Sequence, residues 1–342
     1  MQVLYDEKTQ QALKNISMKI EAERQELKNI FTSYWQYLAV KTACKLDLFD
    51  HIETSNTIDG LRKALNVETT TLSFLIDGLI TLDFINKKNG KLSLTQKGAF
   101  LTEEHPKTLK YACILWGEEH LTAWQKLEHT IKTGQPSFEF CFHKPFFEWL
   151  STEEAASKIY HKAMFEYARD DYEFITDTID FSKHDALMDV GGGLGALLMA
   201  VRKKMPDMSM YLLETEPVLK LLPRNYSNLF SAISGDFFKK IPALADAITM
   251  SRVIHDWKDE KAHIILTNAY QALPSGGKLY LIEIIKENLK DGAALLNLNM
   301  QLICNSYERT VEEYKVLLQG VGFKIMNTKP LNTLQSIIIC EK

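Results

Sequence analysis

The sequence lacks the features that mark several large classes of protein. Its five cysteines stand singly, with no Cys-x-x-Cys pair, so neither a disulfide framework nor a structural zinc site is expected. No window approaches the ~18 uninterrupted apolar residues that a membrane span needs. The first residues mix acidic, basic and amide side chains and have no apolar stretch of signal-peptide type. These absences favour a cytoplasmic protein with no metal and no membrane partner.

A strong excess of either charge is also missing. Forty Lys and Arg stand against forty-four Asp and Glu, which gives a net charge of −4. Nucleic-acid-binding domains usually carry a basic excess, so we expect no nucleic-acid partner. The chain has 342 residues, 46% of them hydrophobic, and is long enough for roughly two domains with a sizeable core. No repeat and no low-complexity tract divides it further.

Residues 1–102 are predicted to form a helical domain. Apolar residues recur at three- and four-residue steps through Leu27, Phe31, Tyr34 and Leu38, which indicates one face of a long helix. This face is rich in aromatic side chains. It belongs either to the core of the domain or to a contact with a second subunit.

Two short helices and a hairpin follow in the order of a winged helix-turn-helix. The helices are predicted at Ile58–Leu65 and Thr71–Leu82, and the hairpin turns at Asn89-Gly90. The second helix has no Lys or Arg and carries Asp77, whereas contacts with DNA phosphates need cations. We therefore predict a packing or dimerisation module, with a winged-helix regulator as an alternative.

Residues 103–175 are predicted to be a helical connector that contributes to a substrate pocket. Ser151 and Glu154 have the spacing of a capping box, which predicts a helix with Ser151 at its N-cap. That helix presents Tyr160, Met164 and Tyr167 on one side. Such a stripe forms either core or the wall of a pocket for a flat ligand.

From residue 176 the pattern alternates between strand and helix. Short apolar runs typical of buried parallel strands are Ala186–Val190, Met210–Leu213, Ala247–Met250 and Leu279–Ile284. Two further runs on either side of Pro330 indicate an antiparallel pair. Residues 176–342 are therefore predicted to form an α/β domain, with a mostly parallel sheet that ends in a hairpin.

A glycine-rich segment, Asp189-Val-Gly-Gly-Gly-Leu-Gly195, follows the first of these strands. Glycines there allow a tight turn and the close approach of a ligand, and amides at the next helix start favour polar or anionic groups. Glu214 ends the second strand and can accept hydrogen bonds from ribose hydroxyls. The segment also satisfies the relaxed dinucleotide pattern, so a nicotinamide-dependent oxidoreductase stays open at this point.

Later motifs carry more information than the glycine segment. They are Gly235-Asp236, His-Asp-Trp-x-Asp-Glu at 255–260 and Glu-Arg-Thr at 308–310. In these motifs the chain resembles the small-molecule O-methyltransferases that use S-adenosylmethionine, in the branch of acetylserotonin, plant caffeic-acid and bacterial natural-product enzymes. The resemblance covers essentially the whole chain. It implies a Rossmann-like class I methyltransferase domain preceded by a winged-helix-like dimerisation domain.

The resemblance also implies roles for individual residues. It implies three catalytic residues, a histidine flanked by two glutamates: His255, Glu283 and Glu308. It implies a set of contacts with the cofactor: Gly191, Gly193, Glu214, Asp236, Phe237, Ser251 and Trp257. It implies a set of residues around the acceptor: Tyr160, Met164, Tyr167, Arg252, Asn299, Met300 and Ile303.

Three positions depart from the family pattern. Pro217 is displaced by one residue after the second strand, Asn297 stands where an Asp is frequent, and Asn305-Ser306 replaces a pair of glycines. Two of these changes fall near the residues expected around the acceptor. The departures therefore bear on which acceptor is bound more than on which cofactor is bound.

Methyl transfer explains why these residue types are needed. The reaction is an in-line displacement at the methyl carbon of a sulfonium, so the enzyme must position the partners and remove a proton. A phenol has a pKa near ~10, and a histidine beside a carboxylate is suited to take its proton. We expect a homodimeric O-methyltransferase of secondary metabolism that acts on an aromatic hydroxyl. The alternative is an S-adenosylmethionine-binding homologue with decarboxylase, hydroxylase or pericyclic activity, which would not need these three residues.

Overall fold

The structure is a computed structural model that describes residues 7–289 and 294–342. The chain divides into two compact units, Met1–His105 and Pro106–Lys342. The elements of the first unit are α1 (Glu7–Lys45), α2 (Leu48–His51), α3 (Ile58–Leu65), α4 (Thr69–Thr81), β1 (Ile85–Lys88), β2 (Lys91–Leu94) and α5 (Gln96–Ala99). Within the described ranges, no helix combines the length and the apolar character that crossing a membrane requires.

The two helices and the hairpin predicted in the first unit are present. The Thr57 hydroxyl accepts a hydrogen bond from the Gly60 amide at the start of α3, and the Glu68 carboxylate accepts two at the start of α4. Strands β1 and β2 pair antiparallel around Asn89 and Gly90. These two residues have φ of 52° and 76°, as a two-residue hairpin turn of this kind requires.

Helix α1 leaves a long apolar face uncovered. Its exposed large hydrophobic residues are Leu13, Ile16, Met18, Ile20, Leu27, Ile30, Phe31, Tyr34 and Trp35. Burial begins near the end of the helix, at Val40, Ala43 and Cys44. Of the two alternatives for this face, assignment to the core of the domain is therefore wrong over residues 27–35, because the rest of the first unit packs on the last turns of the helix. The alternative, a contact with a second subunit, stays a prediction.

The second unit begins with a layer of helices. They are α6 (Lys110–Leu115), α7 (Glu119–Trp124), α8 (Leu127–Thr133), α9 (Ser137–Phe142), α10 (Phe146–Leu150), α11 (Glu154–Asp171) and α12 (Ile175–Thr178). Their aromatic side chains form small cores, one of which contains Phe138 and Phe146. The predicted boundaries at residues 102 and 175 stay predictions, although this helical layer falls in the same unit as the sheet.

The predicted capping box at Ser151 is wrong. Helix α11 begins at Glu154, and its N-cap, Glu153, makes no side-chain capping bond. The hydroxyls of Ser151 and Thr152 instead donate to the carbonyls of Glu148 and Trp149, at the end of α10. Ser and Thr hydroxyls can satisfy nearby backbone carbonyls as well as amides, and here the preceding helix takes them.

A seven-stranded sheet follows the helical layer. Its strands are β3 (Ala186–Val190), β4 (Ser209–Glu214), β5 (Ser231–Ser234), β6 (Ala247–Ser251), β7 (Lys278–Ile284), β8 (Lys324–Pro330) and β9 (Gln335–Glu341). The order is β5-β4-β3-β6-β7-β9-β8. The first five strands run parallel, and β9 is antiparallel to both β7 and β8. The prediction of a mostly parallel sheet with a C-terminal hairpin is confirmed.

Helices cover both faces of this sheet. They are α13 (Ala196–Arg202), α14 (Glu216–Leu219), α15 (Asp259–Ala272) and α17 (Val311–Val321), whereas α16 (Ala294–Cys304) packs on the helical layer. One core packs α15 and α17 on the sheet, and the other packs α13 and the end of α11. Strand β3 leads to β4 on one side and pairs with β6 on the other. The strand order therefore reverses at β3, where open α/β sheets bind their ligands, at the carboxyl ends of the strands.

Candidate active site

The glycine loop lies directly after β3. Gly191 and Gly193 have φ of 70° and 58°, a region that residues with a side chain rarely adopt. A β-carbon on Gly191 would lie 2.9 Å from a methyl group of Val253 and 3.5 Å from the Phe237 ring. The loop backbone thus runs close to two neighbouring segments, which leave no room for a side chain at Gly191.

Glu214 ties the end of β4 to this loop. Its carboxylate accepts hydrogen bonds from the Gly193 amide at 3.0 Å and from the Thr215 amide at 2.8 Å. Burial raises the pKa of Glu214 to about 7, against the effect of these two hydrogen bonds. A carboxylate has about four acceptor positions, so the two bonds leave capacity for hydroxyl groups of a ligand. The structure brings Gly193 and Glu214 together.

Aromatic residues gather beside the same edge of the sheet. The rings of Phe237 and Trp257 are 6.4 Å apart, and Phe238 lies 4.8 Å from Trp257. Asp236 accepts a hydrogen bond from the Phe238 amide at 2.9 Å, which orders the turn between them. Of the predicted cofactor contacts, Phe237 and Trp257 are thus close together.

Ser251, at the end of β6, forms a hydrogen bond with the Tyr172 hydroxyl. Tyr172 follows α11 and was not predicted from the sequence. Burial raises the pKa of its hydroxyl, which keeps the group neutral. One predicted cofactor contact therefore already has a partner within the protein.

His255 lies just beyond the end of β6, in the short turn Ile254–Asp256, and only 7% of the residue is exposed. Its Nδ1 is 2.9 Å from Oε1 of Glu308 and 3.9 Å from Oε2 of Glu283. The other oxygen of Glu283 accepts hydrogen bonds from the Ile254 and Val253 amides, at 2.8 and 3.2 Å. The predicted catalytic trio is thus assembled in one place, although its chemical role stays a prediction.

The carboxylates control the charge of the imidazole. Burial by itself lowers the pKa of His255, but the negative charges of Glu308, Asp256 and Glu283 outweigh it and raise the pKa to about 10. Burial in turn raises the pKa of Glu283 to about 7 and that of Asp256 to about 6. The site therefore strongly favours a protonated ring. It makes His255 a stronger base than a free imidazole.

Several residues that support this trio were not predicted as site residues. Asp256 places Oδ1 3.7 Å from Nε2 of His255 and accepts from the Cys304 thiol. The Ser306 hydroxyl donates to the carbonyl of His255, and Asn297 accepts from the Glu308 amide at 2.8 Å. Asn297 and Ser306 were noted only as departures from the family pattern, and here they hold the backbone of His255 and Glu308.

Arg309 joins the segments that carry His255 and Glu308, and its side chain is 1% exposed. Its guanidinium donates to the carbonyls of Ile254 and Trp257, at 3.2 and 2.7 Å. It also makes a two-point contact with one oxygen of Asp259, at 3.0 and 2.7 Å. The residue next to Glu308 thus fixes the turn that holds His255.

The predicted acceptor residues lie in the helical layer and on α16. Tyr160, Met164 and Tyr167 pack against one small core, and Tyr160 also packs against the core that contains Ile303. Tyr160 therefore links the two cores. Met300 is 5% exposed on the same helix as Ile303.

Two of the acceptor candidates are already hydrogen-bonded to tryptophans. Trp116 donates through Nε1 to the Tyr167 hydroxyl at 2.8 Å, and Trp124 donates to the side-chain oxygen of Asn299 at 2.9 Å. Nothing in the sequence links these pairs, because their members lie 51 and 175 positions apart. The pairs fix the orientation of both acceptor candidates.

Arg252 has φ of 53°, which is uncommon for a residue with a side chain. Its guanidinium lies 3.5 Å from the carboxylate of Asp171, near the end of α11. The charge of Arg252 is thus partly neutralised within the protein. Its predicted contact with the acceptor stays a prediction.

Comparison with known proteins places this site in a family. Residues 124–324, more than half of the chain, match the family model described as the O-methyltransferase domain. A phenazine O-methyltransferase, PhzM of Lysobacter antibioticus, is 26% identical over 321 residues, which are 91% of this chain and 94% of that protein.

Two solved structures give the same result. The crystal structure of LaPhzM aligns with a TM-score of 0.87 and 25% identity, over 93% of this chain and 98% of that one. The O-methyltransferase NcsB1 from neocarzinostatin biosynthesis aligns with a TM-score of 0.75 and 26% identity, over 89% and 95%. NcsB1 was crystallised with S-adenosyl-L-homocysteine and 1,4-dihydroxy-2-naphthoic acid. The predicted fold, enzyme class and cofactor are confirmed, and the chain belongs to the O-methyltransferase family, whose members take the methyl group from S-adenosylmethionine.

Proposed function

We propose that this enzyme methylates a hydroxyl group of an aromatic small molecule, with His255 as the general base. One observation carries the proposal: Nδ1 of His255 is bound by Glu308 at 2.9 Å, while Nε2 lies 3.7 Å from Oδ1 of Asp256 and has no hydrogen bond to any described residue. A carboxylate on one ring nitrogen fixes the tautomer and the orientation of the ring. In the neutral ring, the other nitrogen can accept a proton from the acceptor.

The residues around the glycine loop fit S-adenosylmethionine. A β-carbon on Gly193 would meet nothing within 4 Å, so open space lies beside the loop backbone there for a ligand to approach. Glu214 keeps acceptor capacity for ribose hydroxyls, and Phe237 and Trp257 offer aromatic surface for a base. When bound, the cofactor supplies a methyl group on a positively charged sulfur.

The carboxylates bring the basicity of His255 closer to that of a phenol. They raise the pKa of His255 to about 10 against the effect of burial, and a phenol has a pKa near ~10. Proton transfer from the acceptor to Nε2 of the neutral ring is therefore more favourable than transfer to a free imidazole, and the imidazolium that forms is stabilised by Glu308 and Glu283. The three residues together hold the proton while the acceptor oxygen carries negative charge.

The pocket residues favour a flat acceptor. Tyr160, Met164 and Tyr167 share one side of α11, and the ring of Phe146 lies 5.2 Å from that of Tyr160. Aromatic and thioether side chains pack well against a planar ring system. The names of the relatives point the same way, since they include a phenazine and a dihydroxynaphthoic acid.

The replacement His255→Ala tests the proposal. We expect single-turnover methyl transfer to a panel of phenols to fall by ~10²-fold or more, because the base is lost. The affinity for S-adenosylhomocysteine, measured by calorimetry, should change less than twofold. Loss of cofactor binding with unchanged transfer would instead make His255 a structural residue.

The uncovered face of α1 supports a homodimer as the working form. Phe31 and Trp35 are 67% and 62% exposed and lie one helical turn apart, on a face too large and too apolar for a solvated helix. We take a second copy of the chain as its partner. The pair Phe31→Glu and Trp35→Glu should halve the mass in light scattering. The control Ile131→Glu, at a residue 69% exposed on α8, should leave the mass unchanged.

A further inference from the structure

His120 carries an unpaired polar atom in the helical layer, outside the catalytic trio. The residue lies on α7 and is 3% exposed, and its Nδ1 is buried with no hydrogen-bond partner among the described residues. Burial lowers the pKa of His120 to about 4, so the ring is neutral at physiological pH. A buried polar nitrogen without a partner is costly, and such an atom calls for an explanation.

Aromatic rings surround this imidazole. It meets the Trp116 ring at 5.0 Å and the Phe146 ring at 5.4 Å, in both cases edge to face. Phe146 in turn contacts Tyr160 at 5.2 Å, and Tyr160 is one of the residues proposed to line the acceptor pocket. His120 therefore contacts Phe146, which in turn contacts Tyr160 in the aromatic wall of that pocket.

The neighbouring ring nitrogens already have partners. Trp116 donates to Tyr167, and Trp124, four residues after His120 on the same helix, donates to Asn299. Both of those partners are proposed acceptor residues. Of the three ring nitrogen donors at positions 116, 120 and 124, the imidazole is thus the one that the protein leaves unbonded.

We propose that His120 determines acceptor specificity by forming a hydrogen bond with a neutral polar group of the aromatic ring system, such as a ring nitrogen or a carbonyl. The inference rests on the proposed function, since it takes the aromatic pocket as the acceptor site. A ligand that supplies this group removes the cost of the unpaired nitrogen, whereas one that lacks it does not. A carboxylate fits less well, because its charge would be buried against a neutral ring.

The test compares two planar phenols of the same shape, 1-hydroxyphenazine and 1-hydroxyanthracene, which differ by two ring nitrogens. Dissociation constants are measured with the full chain saturated with S-adenosylhomocysteine. The preference for the phenazine over the anthracene should fall about fivefold in His120→Phe relative to the unchanged protein, as expected for one lost hydrogen bond. His120→Gln, which keeps a hydrogen-bonding group, should retain most of the preference.

His161→Phe is the matched control. Burial lowers the pKa of His161 to about 4 as well, and this histidine lies on α11 next to Tyr160. The variant should keep the preference within twofold. An equal loss in His161→Phe and His120→Phe would overturn the proposal, as would an unchanged preference in His120→Phe or an unchanged protein that binds neither phenol.

A measurement on the unchanged protein covers the case in which the variants fold poorly. In nitrogen-15 spectra of its histidines, 1-hydroxyphenazine should shift the Nδ1 resonance of His120 and 1-hydroxyanthracene should not. Equal spectra with both compounds would contradict the proposal. Because binding is measured without methyl transfer, failure of the proposed function would appear separately, as binding without transfer.

Discussion

Two histidines of the second unit lie at opposite ends of the sheet and differ in one hydrogen bond. His184 precedes β3, and His255 follows β6. Each has a carboxylate oxygen 2.9 Å from Nδ1, supplied by Asp246 for His184 and by Glu308 for His255. Nε2 of His184 is 2.7 Å from the Tyr280 hydroxyl, whereas Nε2 of His255 has no hydrogen bond within the described ranges.

A carboxylate beside a buried imidazole is therefore not enough to distinguish the proposed base, His255, from His184. Both side chains are mostly buried, at 7% and 9% exposure. The second nitrogen makes the difference, because a ring that is bonded on both sides has no capacity left for a substrate proton. His184 ties the amino ends of three strands together, and His255 keeps one nitrogen available at their carboxyl ends.

The largest effect is expected from Glu308→Gln. We expect kcat to fall ~10²-fold, because the imidazolium loses its nearest negative charge. The variant should bind S-adenosylhomocysteine as the unchanged enzyme does. Glu312→Gln, at an exposed carboxylate on α17, is the control and should leave kcat within twofold.

The same variant should change the pH dependence. Protonated His255 cannot accept a proton, so the acid limb of kcat/KM for the acceptor should lie above pH 6.5, the ordinary value for a histidine. Loss of the Glu308 charge lowers the pKa of His255 and moves that limb to lower pH. An acid limb of kcat/KM at unchanged pH would show that Glu308 does not raise the pKa of His255.

Asp246→Asn should affect stability rather than rate. It removes the charge from a group that accepts from the Ala186 amide and from His184, and we expect the free energy of unfolding to fall by ~1–3 kcal/mol with kcat unchanged. Burial opposes ionisation of Asp246, but these hydrogen bonds outweigh it and lower its pKa below 3.8. The stabilisation is therefore present above pH 3.8 and is lost as the pH falls through the lowered pKa.

Denaturant titrations should check this at pH 7 and at decreasing pH. The difference in the free energy of unfolding between the unchanged protein and Asp246→Asn should be largest at neutral pH and should decrease in acid. Asp185→Asn, at an exposed neighbouring carboxylate, serves as the control and should leave the free energy of unfolding unchanged. A loss of activity in Asp246→Asn without a loss of stability would break the comparison between the two histidines.

The smallest effect is expected from Tyr280→Phe. It removes the hydrogen bond to Nε2 of His184, and the free energy of unfolding should fall by ~0.5–1.5 kcal/mol with no change in kcat. Tyr226→Phe is a suitable control, because the Tyr226 hydroxyl has no hydrogen bond within the described ranges. Comparable losses in the two variants would mean that the bond to His184 adds no stability.

Local patterns predicted most of the sheet. The strand Ala186–Val190 has the predicted bounds, because a parallel strand covered on both faces appears in the sequence as a short apolar run. Strand β5, Ser231–Ser234, was missed, since it lies at the edge of the sheet and three of its four residues are exposed. A capping box that does form, Thr310 with Glu313, was overlooked inside a motif interpreted for its chemistry.

The sequence predicted those site residues that stand in recognisable motifs. His255 and Glu308 stand in motifs, and the structure brings them to 2.9 Å. His120 stands in none, and its neighbours are Trp116, in the turn before α7, and Phe146, on α10. Whether a buried nitrogen finds a partner depends on how distant segments pack, which composition and spacing do not specify.

The contacts of Arg309 hold the proposed catalytic pair, His255 and Glu308, in place without involving the proposed pocket residues. Arg309 donates hydrogen bonds to the backbone carbonyls of Ile254 and Trp257, on both sides of His255, and it directly follows Glu308 in the chain. The distance between the proposed base and its carboxylate is thus held by a side chain that touches neither of them. We therefore expect that the helices around Tyr160 can be changed for a new acceptor while His255 and Glu308 keep their spacing. An engineer who wishes to alter substrate range should change the helical layer and leave position 309 alone.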